Sequence, residues 1–320
     1  MTSKTLTVVV QQRELQAHAV AVLTLADPAG EPLPAFRAGA HVDVQLPGGL
    51  VRQYSLCGDP RDRRTYRVAV LKDPDSRGGS IAVHDALLEG EPVVISTPRN
   101  HFPLDASAQY SVLVGGGIGI TPMIAMAWEL FAAGQDFELH YCARSRTQAA
   151  LLTDLATVPW ATKVRLYFDA EDTKLMPEAV LAAAPPGSHL YVCGPSSFMD
   201  WVIGVARDAG VAPNQVHREY FAAPVHEGSV PDRGFEVVAQ ASGKSVRVEP
   251  GETILEALLG IGVKVQVSCE EGVCGTCMCT VLEGEPDHRD AYMTDEEKHA
   301  NDQILVCCSR SRSDRLVLDI

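Results

Sequence analysis

Four cysteines near the C-terminus constrain this chain more than any other feature. Cys269, Cys274 and Cys277 are spaced C-x4-C-x2-C, and Cys307 follows after 29 residues. This is the plant-type [2Fe–2S] spacing, in which one loop supplies three thiolates and a distant segment supplies the fourth. A glycine stands in each short gap of the loop, where the backbone must curl around inorganic sulfide. The spacing therefore predicts an iron–sulfur cluster with these four ligands.

Other interpretations of the thiols remain open. Zinc sites favour paired short spacings such as C-x2-C twice, and buried cysteines also occur as scattered core residues. Cys308 competes with Cys307 for the fourth ligand position, but the 29-residue gap and the Leu-Val-Cys context favour Cys307. We interpret Cys279 and Cys308 as non-ligands.

Composition excludes several classes of function. The 320 residues carry a net charge of −14, which argues against nucleic acid as a partner because phosphate repels an acidic surface. Residues 106–128 have no charged side chain, but glycines and a proline interrupt them, so we predict no membrane span. The N-terminus lacks a secretory signal, and nine cysteines in such a chain indicate a reducing compartment. We predict a cytoplasmic protein.

The chain divides into segments of different pattern. Residues 1–104 alternate short apolar runs with Gly, Pro and Asp, which predicts an antiparallel β-barrel. Residues 105–222 alternate buried strands with amphipathic helices, which predicts an α/β doubly wound, mostly parallel sheet. Residues 223–232 have the composition of a linker, and residues 233–320 carry the cysteines on an α+β pattern. The fold class is therefore multidomain.

Two turns in the α/β segment predict a nucleotide site. Gly115–Pro122 follows a strand and opens a helix, where glycines let the backbone approach a pyrophosphate and the helix N-terminus favours an anion. It is not the GxGxxG fingerprint. Cys193-Gly194 ends a later strand at the carboxyl edge of the sheet, where ligands bind in such folds. Cys193 is either a cofactor contact, which we favour, or a small core residue.

The barrel segment offers two candidate anion sites. Arg52, Tyr54 and Ser55 lie in one short strand, whose alternation sends Arg52 and Tyr54 to the same face. A guanidinium can hold phosphate bidentately, and a tyrosine ring can pack on a planar ligand. Arg77-Gly78-Gly79-Ser80 stands at a predicted helix start, which favours an anion by the same dipole argument. Each site alone is equally consistent with an ordinary protein surface.

In this order, the motifs resemble the family of phthalate dioxygenase reductase and vanillate O-demethylase reductase, within the ferredoxin–NADP reductase superfamily. The resemblance spans essentially the whole chain. It implies FMN on the barrel, NADH on the α/β domain and a C-terminal β-grasp ferredoxin domain. Members with the ferredoxin domain at this end resemble FMN enzymes, whereas those with it in front usually hold FAD.

The resemblance also implies roles for individual residues. It places Arg52, Tyr54 and Ser55 on the flavin, and Arg77, Gly79 and Ser80 at the FMN phosphate. The remaining cofactor-binding residues that it implies are Gly78, Thr121 close to the flavin ring, Gly116, Gly117, Cys193 and Gly194 around the nicotinamide dinucleotide, and Phe221 as the aromatic residue near the flavin.

A mechanism follows from these cofactors. A nicotinamide gives up two electrons as hydride and a [2Fe–2S] cluster takes one at a time, so a flavin must stand between them. No side chain need act as acid, base or nucleophile, and we predict no catalytic residue. The resemblance implies a Rieske oxygenase component as acceptor and a monomeric reductase. A cytochrome P450 acceptor, or direct reduction of an organic substrate, are the alternatives.

Two charge patterns bear on specificity. Arg144 and Arg146 could hold the 2′-phosphate of NADPH, whereas the negative charge of Asp169 would oppose it. The resemblance favours NADH. From Asp232 onward the chain has 17 acidic and 9 basic residues, a net charge of −8. With Glu270 and Glu271 in the cysteine loop, this predicts electrostatic steering of the acceptor. Acidity for solubility alone is the competing interpretation.

Overall fold

The computed structural model describes residues 4–74, 76, 78–222 and 233–320. They form two compact units, which divide after Glu219. The predicted linker, 223–232, and Arg77 lie outside the described residues. Each unit is described by itself below.

An antiparallel sheet forms the first part of the first unit. Its strand order is β4-β3-β6-β1-β2-β5, with β7 beside β3. The end strands β4 and β5 also approach each other, so the sheet curls as a barrel does. Its elements are β1 Thr5–Gln16, β2 Val20–Ala26, β3 Ala40–Gln45, β4 Val51–Ser55, β5 Thr65–Leu71, α1 Gly79–Ala86, β6 Pro92–Ser96 and β7 Arg99–Asn100.

A parallel sheet with the order β10-β9-β8-β11-β12 forms the second part. The order reverses between β8 and β11, and ligands bind beyond the carboxyl ends of strands at such a switch point. Both strands are almost wholly buried, as expected for the centre of a parallel sheet. The elements are β8 Tyr110–Gly116, α2 Ile120–Ala133, β9 Asp136–Ala143, α3 Leu152–Thr157, β10 Val164–Phe168, α4 Pro177–Ala183, β11 His189–Cys193, α5 Ser196–Asp208 and β12 Val216–Glu219.

The two sheets of the first unit share one core. Buried side chains from Val8 to Cys193 form a single continuous apolar cluster. An ion pair of 2.6 Å between Arg67 and Asp154 joins the antiparallel part to the parallel part. The side chain of Gln16 accepts a hydrogen bond of 2.7 Å from the Leu151 N–H at the same boundary. Position 104 is thus a change of architecture rather than a gap between two cores.

The second unit is a mixed sheet with the order β14-β13-β19-β15-β17. Strands β13 and β19 are parallel, and the other pairs are antiparallel. Helix α6 packs its apolar side into this unit's own core. The elements are β13 Phe235–Ala239, β14 Lys244–Val248, α6 Ile254–Gly260, β15 Met278–Glu283, β16 Pro286–Asp287, α7 Asp295–Ala300, β17 Gln303–Leu305, β18 Arg310–Ser311 and β19 Arg315–Leu318.

Some boundaries differ from those predicted. The pattern predicts a helix over Ile81–Leu88 capped by Ser80, whereas α1 begins at Gly79 with Gly78 at its N-cap position. It also predicts a helix over Ala149–Leu155, whereas α3 begins after Leu151, whose left-handed backbone (φ 64°) stops the helix from extending back to Ala149. Helix α7 was not predicted, because five of its six residues are polar. Across the described parts of the chain, every helix is too short or too polar to cross a bilayer.

Candidate functional site

The four predicted cluster ligands lie close together in the second unit. The irregular segment between α6 and β15 carries Cys269, Cys274 and Cys277, and Cys307 follows β17. A backbone hydrogen bond from Val306 to Cys277 joins the two segments. All four side chains are at most 7% exposed, so these thiols lie in a dry environment.

The four thiols form two hydrogen-bonded pairs. Cys269 is hydrogen-bonded to Cys274, and Cys277 to Cys307. The hydrogen bond from Cys269 lowers the pKa of Cys274 to about 5, whereas the same bond and burial raise the pKa of Cys269. Hydrogen bonds with neighbouring thiols and burial raise the pKa of Cys269, Cys277 and Cys307, so Cys274 is the one of the four that most readily becomes a thiolate, the protonation state that iron requires.

Backbone N–H groups of the loop point toward these sulfur atoms. The Glu271 N–H lies 3.3 Å from the Cys269 sulfur, and hydrogen bonds from the Val273 and Gly272 N–H groups partly offset the raised pKa of Cys269 and of Cys307. The loop achieves this with left-handed backbone at Glu270, Gly272 and Gly275 (φ 56–72°). Such N–H donors stabilise charge on sulfur, so the residues present fit a [2Fe–2S] cluster.

The neighbouring cysteines are oriented differently. The Cys279 thiol faces the Cys277 carbonyl oxygen at 3.6 Å, and burial raises its pKa to about 12. Cys308 is only partly buried and faces the Leu305 carbonyl oxygen at 3.9 Å. Cys308 also interacts with the Cys307 thiol. The assignment of Cys279 and Cys308 as non-ligands stays a prediction.

In the first unit, Arg52 and helix α1 form a cradle for an anion. Arg52 is 8% exposed, and a Cβ atom added to Gly79 would lie 2.5 Å from its Cγ. Only glycine at position 79 therefore lets the first turn of the helix lie against the Arg52 side chain. The first helical hydrogen bond runs from Ala82 N–H to the Gly78 carbonyl, so the preceding N–H groups have no intrahelical acceptor. A buried guanidinium beside a helix N-terminus fits the phosphate of FMN.

Two other predicted flavin residues lie near this cradle. Tyr54 is partly buried against the core, where burial raises its pKa and the charge of Arg52 lowers it. The Ser80 hydroxyl is engaged with the preceding loop: it accepts a hydrogen bond of 3.0 Å from Asp73 N–H and lies 2.9 Å from the Ser76 hydroxyl.

The two predicted nucleotide turns meet at the switch point of the parallel sheet. A Cβ atom on Gly194 would lie 3.0 Å from the Gly116 Cα, and one on Gly119 would overlap the Cys193 carbonyl group. A Cβ atom on Gly116 would also lie 2.8 Å from the Phe198 ring. The glycines after β8 and β11 therefore let two backbone turns come together, as a pyrophosphate site requires.

The other residues predicted beside these turns differ in accessibility. Gly117 has a left-handed backbone (φ 56°) with open space around it. Thr121 is 2% exposed, and its hydroxyl donates to the Ile118 carbonyl oxygen at 3.0 Å. The Cys193 thiol is fully buried, and burial raises its pKa. Phe221 is 38% exposed.

Glu219 is a residue that sequence reasoning missed. The Ser55 hydroxyl donates to Glu219 Oε2 at 3.3 Å, and the carboxyl also interacts electrostatically with Cys193. Burial raises the pKa of Glu219 to about 8, against the lowering effect of the Ser55 hydrogen bond. The only sequence signal was its position at the end of a strand. A buried carboxyl with a raised pKa beside a predicted flavin residue is a functional-site candidate that the sequence did not single out.

The predicted coenzyme-specificity residues are partly paired. Arg146 forms two hydrogen bonds to Glu171, of 3.1 and 3.0 Å, and its guanidinium lies 4.5 Å from the Phe168 ring centroid. Arg144 is exposed, at the end of β9. One of the two cations that could bind a 2′-phosphate is therefore already neutralised by a carboxylate.

Comparison with known proteins agrees with this geometry. Residues 237–312 match the family described as "Fer2: 2Fe-2S iron-sulfur cluster binding domain". Vanillate O-demethylase oxidoreductase of Pseudomonas sp. (strain HR199 / DSM 7063) is 49% identical over 98% of this chain and 99% of that one. Phthalate dioxygenase reductase of Burkholderia cepacia is 41% identical over 97% and 96%.

The chain belongs to this reductase family. A solved structure of phthalate dioxygenase reductase, described as a modular structure for electron transfer from pyridine nucleotides to [2Fe–2S], covers 99% of the chain and 98% of its own length, with 38% identity and a TM-score of 0.81. Membership of the phthalate dioxygenase reductase family confirms the multidomain fold, the oxidoreductase class and the predicted cofactors FMN, NADH and [2Fe–2S].

Proposed function

We propose that this protein is the reductase component of a Rieske-type aromatic-ring oxygenase system. It takes two electrons from NADH and delivers them singly, through its cluster, to a separate oxygenase component. The observation that carries this proposal is the presence in one chain of a buried four-thiol cradle and a nucleotide-type switch point. The named relatives support it, because they belong to an O-demethylase and a dioxygenase and match almost end to end.

We assign the flavin to residues 1–104, the nicotinamide to 105–222 and the cluster to 233–320, with 223–232 as linker. Arg52, with Gly78, Gly79 and Ser80 at the start of α1, would hold the FMN phosphate, and Arg77 of the same segment is part of this prediction. The buried guanidinium and the helix N-terminus neutralise its charge. Tyr54, Ser55 and Thr121 would border the flavin ring, together with Phe221.

The nicotinamide dinucleotide would lie across the glycine turns after β8 and β11. There Gly116, Gly117 and Gly194 leave backbone accessible, and Cys193 closes the floor of the crevice. Ser55 and Glu219 stand at this edge and can hold a proton between them. Bound FMN would accept two electrons together and release them one at a time. Cys269, Cys274, Cys277 and Cys307 would hold the irons.

A cytochrome P450 is the second candidate acceptor. A self-sufficient cytochrome P450 monooxygenase of known structure contains a region 42% identical to this chain, with a TM-score of 0.79, and the match covers 99% of this chain but 41% of that one. We favour a Rieske oxygenase because two relatives that match over nearly their full length are named for an O-demethylase and a dioxygenase. As supporting assignments, we propose a cytoplasmic location, on account of the nine cysteines without a disulfide, and a monomer, on account of the family resemblance.

The test is NADH oxidation by the purified protein with and without an acceptor. A reductase should oxidise NADH slowly alone and rapidly once a Rieske oxygenase component or a P450 is added, and the faster acceptor identifies the partner class. Rapid NADH oxidation that depends on an added small organic compound, with no acceptor protein, would instead identify a flavoenzyme that reduces its own substrate. Aromatic compounds alone serve as the control.

A further inference from the structure

Two histidines and one aspartate meet at the edge of the parallel sheet opposite the glycine turns. His189 is the first residue of β11 and His217 lies near the start of β12, whereas the cofactor edge is at the ends of these strands. Asp105 lies on the segment between β7 and β8. None of the three belongs to the nucleotide or flavin constellations.

The ligand atoms of this cluster have metal-site spacing. His189 Nδ1 and His217 Nε2 are 2.9 Å apart, and His189 Nδ1 lies 3.9 Å from Asp105 Oδ2. All three atoms lie within 4.8 Å of one another. Two ligands about 2.0–2.2 Å from a tetrahedral Zn²⁺ are about 3.3–3.5 Å apart, a value between the two observed distances. In a hydrogen bond between two imidazole nitrogens one nitrogen lacks a proton, and a bound ion would take its lone pair in place of the shared proton.

Neighbouring groups orient the three side chains. The other carboxylate oxygen of Asp105, Oδ1, accepts hydrogen bonds from Ser107 N–H at 2.7 Å and its hydroxyl at 2.6 Å. The Asp105 N–H donates to the Tyr191 hydroxyl at 2.8 Å, and the Tyr191 ring stacks on His217 with centroids 4.5 Å apart. Such outer contacts are what fix ligand orientation in metal sites.

We propose that Asp105, His189 and His217 bind a divalent transition-metal ion, with Zn²⁺ as the probe. Two imidazoles and a carboxylate form a donor set that zinc accepts, and they leave a fourth position for water. Access is open, because the Asp105 side chain is 37% exposed while His189 is buried. The ion would join the segment before β8 to β11 and β12, and so tie the connection between the two sheets.

Calorimetric titration of the holoprotein with Zn²⁺ tests the site, with the visible absorption of the cluster recorded to show that iron is not displaced. We expect one site per chain that weakens at least about tenfold in His217→Gln and in Asp105→Asn, since each removes a ligand. His18→Asn is the matched control, because His18 is an exposed histidine of the same unit, and it should bind as the wild type does.

A second measurement needs no variant. Zn²⁺ should protect His189 and His217, but not His18, from acylation by diethylpyrocarbonate, as read by peptide mass spectrometry. Zinc binding that is equal in wild type and both ligand variants, or absent from the wild type, overturns the proposal. So does equal modification of His217 with and without the ion.

Discussion

The Ser55 hydroxyl donates a hydrogen bond to the Glu219 carboxylate over 3.3 Å and so joins the last residue of β4 to the last residue of β12. The two residues are 164 positions apart in sequence. The bond places a barrel hydroxyl and a sheet carboxyl at one point, where the antiparallel and parallel parts of the first unit meet. A change of protonation at Glu219 therefore changes a contact that joins both parts.

Glu219 should make stability depend on pH. Burial raises the pKa of Glu219 from 4.5 to about 8, so between these values the folded protein keeps a proton that the unfolded chain loses. The free energy of unfolding should therefore fall as pH rises through this window, by up to about 1.4 kcal/mol per pH unit, and level off above it. Glu219→Gln should lose this slope in thermal unfolding followed by circular dichroism from pH 5 to 9. Exposed Glu31→Gln is the control, and an unchanged slope in Glu219→Gln would contradict the assignment.

Gly79→Ala should weaken FMN binding. Its methyl group would stand 2.5 Å from Arg52 Cγ and displace the guanidinium from the helix start. Loss of charge-assisted hydrogen bonds of about 1.5–3 kcal/mol corresponds to roughly 10- to 100-fold in Kd, measured by the quenching of FMN fluorescence on reconstitution. Gly58→Ala, where the nearest atom is 3.7 Å away, should bind FMN normally. Equal FMN affinity in the two variants would contradict the assignment of the FMN phosphate to the start of this helix.

Cys307→Ser should lose or weaken the cluster, because the Cys307 thiol is buried and paired with Cys277. Iron content and visible absorption should fall, while FMN content and NADH-to-flavin transfer remain, since the second unit has its own core. Cys308→Ser is the matched control and should retain two irons per chain. The reverse result would place the fourth ligand one residue later.

Glu171→Gln should increase the use of NADPH. In the wild type, Glu171 holds Arg146 through two hydrogen bonds, and we expect kcat/KM to favour NADH. Removal of an exposed partner worth about 1 kcal/mol frees the guanidinium for a 2′-phosphate, which should raise the NADPH-to-NADH ratio of kcat/KM about fivefold. Glu178→Gln, on an exposed face of α4, should leave the ratio unchanged. A wild type that prefers NADPH would refute the assignment.

Reduction of the oxygenase component should slow as ionic strength rises, because salt screens an acidic docking surface. The double change Glu270→Lys and Glu271→Lys should slow this step severalfold while NADH-to-flavin transfer is unaffected. The double change Glu283→Lys and Glu285→Lys makes the same change of charge at and just beyond the far end of β15, where Glu283 lies about 17 Å along the strand from Met278, and should have a smaller effect. If neither salt nor charge reversal changes the rate, apolar contacts govern docking and the acidic surface serves only solubility.

The parts of the site that sequence predicted are those encoded by local spacing. Each of two motifs, C-x4-C-x2-C and Gly115–Pro122, is one short segment with one backbone conformation. Its own residues therefore define its geometry. The alternation of buried strands and helices likewise defined the parallel sheet. The N-cap of α1 was expected at Ser80, two residues after the observed N-cap Gly78, because hydroxyl residues are better N-cap signals than glycine.

The parts that sequence missed are made by strand pairing. Glu219 gains its raised pKa only because β12 ends beside β11 and faces Ser55 of the barrel. The Arg146–Glu171 pair and the Asp105 cluster arise in the same way, from residues 25 to 112 positions apart. No local pattern distinguishes these side chains from ordinary surface charges, since their environment is created by tertiary contacts.

The continuous apolar cluster of the first unit limits how this gene can be rearranged. A chain divided near residue 104 would leave the facing sides of both sheets open to water, so neither fragment would keep a complete core. A chain divided near residue 220 leaves both cores intact. In fusions and natural recombinants, the first 219 residues should be inherited together, whereas the iron–sulfur segment can be exchanged, moved to the other terminus or replaced by a different electron carrier.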